Sequence, residues 1–276
     1  MNSINTHYNA MSAIAALRVT DAQIAATSKQ LETGFRVADS FDDASVFAVA
    51  QGIRTNFRAN AAVQSSLQQG IGLVDVTVAA INGVLQLADN LRSSLIKASD
   101  GSASDTQRGI YRSDSQLLAE QMTSMVSQAS FHGRNQLLAS SAPAAFVADF
   151  SGSMITVPAF DMTAEHDALS GAIDSITDAI TATDAYNLID PLTTAATAAI
   201  ADFAVVRRQM SLQVQFVDSL VDAMKLGVGA LVDSDISAND ALLASLAVQK
   251  QLSVVSLSLA SNRQATLLQL YRGQAG

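Results

Sequence analysis

The clearest pattern in the chain is a seam of apolar residues between positions 67 and 88. Leu67, Ile71, Val74, Val78, Ile81, Leu85 and Ala88 follow one another at alternating steps of four and three. That is the 3.5-residue repeat with which α-helices wind around a partner. A parallel stripe, Val84, Leu87, Leu91 and Leu95, widens the face toward a bundle core. The pattern predicts one helix over about 44–98, roughly 80 Å long at 1.5 Å per residue. A matching seam runs through Ile200, Phe203, Arg207, Met210, Val214, Val217, Val221, Met224, Val228 and Leu231, in which only Arg207 is not apolar. It predicts a second long helix over about 192–231. The shared period makes the two natural partners, with 67–88 packed antiparallel against 210–231.

Weaker stripes mark the two ends of the chain. Ala10, Leu17, Ile24 and Leu31 recur at sevens, with Met11 and Ile14 alongside, and predict a helix from about 5 to 33. A last helix, about 237–272, ends in Leu267, Leu268, Leu270 and Tyr271. A further helix over 104–130 carries Leu118, Met122, Met125 and Ala129 on one side, and a short one is expected over 165–184. Gly34 suits a left-handed turn after the first helix. Ser40, Asp42 and Asp43 are candidate caps for the next one. Residues 139–164 differ in kind. They hold Pro143, Pro158, Gly152 and short alternating pieces, which predict a β-hairpin turning near Ser151-Gly152-Ser153. The expected fold is mainly all-α: a long antiparallel coiled-coil helical bundle, paired terminal helices, and a small β-hairpin in the middle. The terminal helices have only each other within the chain. Two helices alone bury little, so their open apolar faces imply partners from other chains.

Composition narrows the function. The 276 residues include no Cys and three Pro, which removes disulfides, thiolate metal sites and Cys nucleophiles and leaves helices almost uninterrupted. A net charge of −9 argues against nucleic acid and anionic lipid as partners. His7, His132 and His166 lie too far apart to form a ligand-spaced pair. No uninterrupted run approaches the roughly 18 apolar residues of a membrane span, and the N-terminus lacks the pattern of a cleavable secretory signal. Asp42 and Asp43 read as turn and cap residues rather than an acid–base pair. Arg207-Arg208 reads as a salt-bridge site on a helix. Gly70-Ile71-Gly72 has no preceding strand and reads as a weak helical stretch or a close-packing point, not a phosphate loop. From 135 to 206 there are nine carboxylates and no Lys or Arg, the mark of a solvated outer surface. No catalytic, metal or cofactor site is expected, and the chain does not read as an enzyme.

Ser3-Ile4-Asn5-Thr6, then Thr33-Gly34-Phe35-Arg36-Val37, then Ser40-Phe41-Asp42-Asp43-Ala44 resemble the N-terminal signature of bacterial flagellins. Phe131-His132-Gly133 followed by Arg134-Asn135-Gln136-Leu137-Leu138 resembles the family's Phe-Asn-Gly turn and leucine pair. Val232-Asp233-Ser234-Asp235, Gln249 to Leu252, Ala260 to Gln264 and Leu267 to Arg272 resemble its C-terminal helix. The likeness covers about 1–138 and 192–272 and is greatest to the short flagellins of α-proteobacteria. It departs at Gln30, where the family usually has Arg, at His132 in place of Asn, and in the extension Gly273–Gly276.

The resemblance implies a structural subunit that polymerises into the flagellar filament, a secreted, extracellular protein of motility exported without a cleaved signal peptide. Its partners would be itself, as a homopolymer or mixed with paralogous flagellins, the filament cap and hook-junction proteins, and a flagellar export chaperone, with no nucleic acid and no membrane. It also implies an inner-tube domain of terminal helices over 1–42 and 235–276. A coiled-coil bundle domain would follow over 43–138 and 165–234, with 139–164 a β-hairpin element within it. Inter-subunit packing is then expected at Ile4, Met11, Leu17, Ile24, Leu31, Leu257, Leu267, Leu268, Leu270 and Tyr271. Two other readings stay open. One is a hook–filament junction protein, though the short middle favours a flagellin. The other is an amphipathic helical granule coat, against which the strict seams argue for a specific bundle.

Overall fold

The computed structural model describes the backbone of residues 8–273, and the side chains of Tyr8 and of residues 10–262. Seven helices and two strand pairs make up the described residues. They run α1 Tyr8–Thr33, α2 Ala44–Ser99, α3 Asp105–Gln128, β1 Ser130–Phe131, β2 Arg134–Asn135, β3 Ala144–Val147, β4 Met154–Val157, α4 Thr163–Asp174, α5 Ala179–Asn187, α6 Ile189–Val232 and α7 Ile236–Gly273. The chain divides into two compact units, 1–55 with 223–276, and 56–222.

The unit over 56–222 is a helical bundle with a continuous core. Its spine is a stripe on α2 that steps four and three without a break: Val63, Leu67, Gly70, Val74, Thr77, Ile81, Val84, Ala88, Leu91, Leu95 and Ala98 are all buried. Only part of the seam expected from apolar identity coincides with it. Leu67, Val74 and Ile81 are buried, whereas Ile71, Val78 and Leu85 are half-buried and flank the core. The true seam passes one residue earlier, through Gly70 and Thr77. Thr77 is tolerated because its hydroxyl donates to the Leu73 carbonyl at 2.8 Å inside its own helix. Gly70 is needed for space. A Cβ there would meet the Met210 side chain at 2.8 Å and the Phe146 ring at 3.0 Å.

On α6 the buried positions within this unit are Ile189, Leu192, Ala196, Ala199, Phe203, Met210 and Val217, with Val206 half-buried between Phe203 and Met210. Val206, not Arg207, occupies the seam. Arg207 turns out and pairs with Asp75 at 2.5 Å. Val214 and Val221 are half-buried. Three side-chain bridges fix how α2 meets α6: Gln64 to Asp218 at 2.6 Å, Arg207 to Asp75, and Arg92 to Asp190 at 2.6 Å. The helices are antiparallel, but 67–88 lies opposite about 194–215. The expected pairing of 67–88 with 210–231 is therefore displaced by some sixteen residues. A heptad period repeats, so it specifies the mode of packing and not the register.

The short helix expected over 165–184 is two helices. Asp178 breaks it by accepting from the Ile180 and Thr181 N–H groups, while the Thr181 hydroxyl accepts from the Asp178 N–H, a reciprocal cap. Pro191 falls inside the first turn of α6, where its missing N–H loses nothing. The hairpin pairs Ala144 with Val157 and Val147 with Met154, and Gly152 sits in its loop at φ 94°. Ile155 and Val157 point into the core. A second, two-residue hairpin, β1–β2, turns at His132 (φ 50°) and Gly133 (φ 75°). Both central residues have positive φ, a turn in which the family's Asn is the easier occupant. His132 holds it with its ring edge-on to Phe131, centroids 4.5 Å apart.

In the unit over 1–55 and 223–276, α1 packs along α7. Beside them Val37, Ala50 and Val232 form a small core, lined by Val46, Phe47, Val228 and Leu231. Because the first turns of α2 and the last turns of α6 share this core, the units part at 55/56 and 222/223 rather than at the interhelical turns. Met224 is half-buried on α6.

Candidate assembly surfaces

The face that α1 turns to α7 is Ala13, Leu17, Thr20, Ile24, Thr27 and Leu31, each buried or half-buried. Thr20 and Thr27 are its most enclosed members, and the Thr20 hydroxyl is satisfied within the helix by the Ala16 carbonyl at 3.1 Å. On α7 the facing positions are Asn239, Leu243, Leu246, Ser253, Leu257 and Ala260. Lys250 to Asp21 at 2.9 Å and Asn239 to Gln30 at 3.1 Å fix an antiparallel register. Gln30, which stands where the family usually has Arg, thus serves as an acceptor inside the chain. Leu17, Ile24, Leu31 and Leu257 line this intrachain pair. Met11 does not; it is 63% exposed. Ile4 and the side chains of Leu267, Leu268, Leu270 and Tyr271 lie outside the described residues.

The outer side of α7 is a second apolar stripe that the sequence reading missed. Val248, Leu252, Val255 and Leu259 step four, three and four, and all are exposed. The signal was present: α7 carries two offset stripes of one period, so it is apolar on two sides. On α1, Tyr8 and Val19 are exposed as well. By length and composition three stretches among the described residues are apolar enough to cross a membrane: Ala44–Ser99, Ala179–Val232 and Ile236–Asn262. This differs from the reading based on uninterrupted runs, because sparse charges among Ala, Val and Leu raise the mean hydropathy without a long run. In the first stretch 39% of the apolar window is buried, in the third 6%. The last helix is therefore the one that most lacks cover.

A clasp of carboxylates joins the turn after α1 to the start of α2. Gly34 adopts φ 71°, the left-handed conformation that lets the chain leave the helix. The strand-like Phe35–Asp233 bridge follows, with the Arg36 N–H donating to the Val232 carbonyl at 2.7 Å and the Ser234 N–H to Gly34 at 3.0 Å. Lys29 reaches Asp39 at 2.8 Å and Asp42 at 2.7 Å. The Lys29 ammonium holds both carboxyls below their ordinary range, helped by N–H donors from Phe41 to Asp39 and from Ala38 and Asp39 to Asp42. The two carboxylates raise Lys29 in return. Asp43 alone is the helix cap, accepting from the Ser45 and Val46 N–H groups at 3.0 Å each. Asp42, expected as a candidate cap, folds back onto the turn instead.

Among the described residues there is no group of three or more His, Asp or Glu placed to hold a metal ion. What the molecule offers is surface: a helix pair half covered, joined by a braced turn to long helices with a complete core. An apolar helix face left this open is the mark of a chain that packs on others. Residues 4–142 match the family described as bacterial flagellin N-terminal helical region. A flagellin of Brucella melitensis is 30% identical over 99% of this chain and 100% of its own length. Flagellin FljM of Caulobacter vibrioides is 30% identical over 99% of each chain. The crystal structure of Bacillus cereus flagellin shares the fold, with a TM-score of 0.50 at 16% identity over 55% of this chain and 88% of that one. The chain belongs to the flagellin family and resembles its α-proteobacterial members. It is a structural subunit of the extracellular flagellar filament, and the family is structural, not enzymatic.

Proposed function

We propose that the outer stripe of α7, together with the exposed side of α1, is the surface by which each subunit packs on its neighbours to form the inner layer of the filament. The observation that carries this is the row Val248, Leu252, Val255 and Leu259, exposed in the single chain. Four such side chains left in water forgo about 1.5–3 kcal/mol each relative to full burial. Neighbours supply that burial at every contact. The terminal positions Ile4, Leu267, Leu268, Leu270 and Tyr271 are further inter-subunit contacts on this reading. The bundle forms the next shell, and the acidic hairpin side faces outward. Export proceeds through the flagellar secretion channel without removal of a leader, attended by an export chaperone. The filament cap and hook-junction proteins meet the same subunit ends.

Leu252→Asp tests the surface. The position is exposed, so the monomer's thermal unfolding stays within about 0.5 kcal/mol of the parent. In a filament the new carboxylate would be buried without a partner. Polymerisation followed by light scattering and electron microscopy is expected to fail. Normal filaments from this variant would remove α7's outer stripe from the interface.

A further inference from the structure

A filament extends by heterologous contacts, in which the surface a subunit offers differs from the surface that receives it. The chain must carry both. Outside the terminal helix pair, two exposed apolar features complement each other. Phe41 is 97% exposed, more than any other large hydrophobic side chain among the described residues. Its turn is nonetheless fixed. Asp39 Oδ1 accepts from the N–H groups of Phe41 and Asp42 at 2.8 and 3.2 Å, and Asp42 Oδ2 from those of Ala38 and Asp39 at 3.0 and 3.2 Å. The ring is therefore presented on ordered backbone, and little freedom remains to be lost on docking. Asp39, Asp42 and Asp43 flank it in the chain, with Lys29 as counter-charge to the first two.

The complement lies on α6. Val205, Arg208, Leu212 and Phe216 step three, four and four, which puts them on one helix face. The three apolar members are exposed, Phe216 to 60%. Arg207 beside them is engaged by Asp75, whereas Arg208 is exposed and makes no ion pair among the described residues. The stripe is an apolar seat with an unneutralised cation one turn away.

We propose that the Phe41 turn of one subunit docks on the Val205–Phe216 stripe of a second copy of this chain. The ring lodges between Leu212 and Phe216, and Arg208 meets the carboxylates of the turn. An aromatic anchor in a preformed turn, facing a seat with opposite charge at its edge, is the composition of an interface hot spot. The inference rests on the filament reading above only in requiring that subunits polymerise.

The chain has no Cys, so introduced thiols report one contact without background. Phe41→Cys and Leu212→Cys chains are prepared separately, mixed as monomers, polymerised and oxidised with copper–phenanthroline. A covalent dimer is expected on non-reducing gels from the mixture. It should be absent from filaments of either variant alone, and from a Phe41→Cys mixture with Ile180→Cys, an exposed position elsewhere. Independently, Phe41→Ala is expected to raise the critical concentration for polymerisation about tenfold or more while leaving the monomer's thermal unfolding unchanged. Filaments in which the Phe41→Cys chain links to the Leu212→Cys chain no better than to the Ile180→Cys chain would overturn the proposal, as would an unchanged critical concentration for Phe41→Ala. Failure of the parent chain itself to polymerise would count against the assembly reading, not against this contact.

Discussion

Arg207 reaches from α6 to Asp75 on α2 at 2.5 Å, and this one bridge marks the register at which the two longest helices meet. Its position also explains why a charged residue interrupts an otherwise apolar heptad series. The buried seam passes through Val206, leaving Arg207 at the edge where Asp75 waits. Both partners are about half exposed, so the bridge orients more than it stabilises. Reversing either charge alone, by Arg207→Glu or Asp75→Lys, is expected to lower the urea midpoint of unfolding slightly. The double reversal should restore it. Equal effects in all three variants would remove the bridge from the account of register.

The phase of the α2 seam gives a sharper test. Leu67 is fully buried and Leu85 is half-buried at its flank. Leu67→Ala is expected to destabilise the bundle by about 2–5 kcal/mol, the range for a core cavity. Leu85→Ala should stay below about 2 kcal/mol, in proportion to its smaller burial. Denaturant unfolding of the two variants measures both. A larger loss at Leu85 would return the seam to the phase that apolar identity alone suggests.

Gly70 is one of three glycines on α2, with Gly72 and Gly83, at which an added Cβ would come within 2.8 Å of a neighbouring side chain. Met210 is flexible and can yield to one methyl, so Gly70→Ala trades slight crowding against a helix-propensity gain of about 1 kcal/mol and is expected to be close to neutral. Gly70→Leu cannot be accommodated against Met210 and Phe146 together, and should cost about 1–3 kcal/mol. Thermal unfolding separates the two outcomes.

Asp149 governs the loop of the β3–β4 hairpin. Hydrogen bonds from Ser153 and Ser151 hold its carboxyl far below the ordinary carboxylate range. A carboxyl lowered on folding stabilises the folded form above its unfolded value, near pH 3.9. That contribution fades as pH falls through the lower folded value. The loop is therefore expected to keep its order through mild acid and to lose it only well below pH 4. Asp149→Asn should weaken it already at pH 7. Amide exchange at Ser151 and Ser153 reads both effects, and equal protection in parent and variant at pH 7 would contradict them.

Removing residues 1–33 or 240–276 deletes one member of the α1–α7 pair. The core of 56–222 draws on neither helix. Either truncated chain is expected to retain cooperative helical unfolding by circular dichroism and to form no filaments under conditions where the parent does. Filament growth by either would show that the terminal pair is dispensable.

Much of this was legible in the residues, and the misses share a cause. Apolar spacing located every long helix, and the alternation around Ser151-Gly152-Ser153 located the larger hairpin. Phase and register were not legible, because a seam drawn through apolar letters skips Gly70 and Thr77, which the core uses for close approach and for a self-satisfied hydroxyl. Thr20 and Thr27 hid part of the α1 face in the same way. The break at Asp178 was written as Asp-x-x-Thr, a cap signal overlooked inside an apolar run. Among the surfaces, the α1 stripe through Leu17, Ile24 and Leu31 was legible, but the outer stripe of α7 was not, nor was the side of each helix that faces its own partner. That depends on the register of α1 against α7, which Lys250–Asp21 and Asn239–Gln30 set across more than two hundred residues.

The bridges found along the chain are nested. Arg92 and Asp190 lie 98 positions apart, Arg207 and Asp75 132, Gln64 and Asp218 154, and Asn239 and Gln30 209. Each encloses the one before. Closing a loop becomes entropically dearer only slowly with its length, and once an inner bridge is made, the next has only the segments between the two bridges left to close. The topology therefore favours a zipper that starts near the middle of the chain and runs outward. The two ends are the last to meet, and a chain caught before that final step would still hold its sticky helices apart.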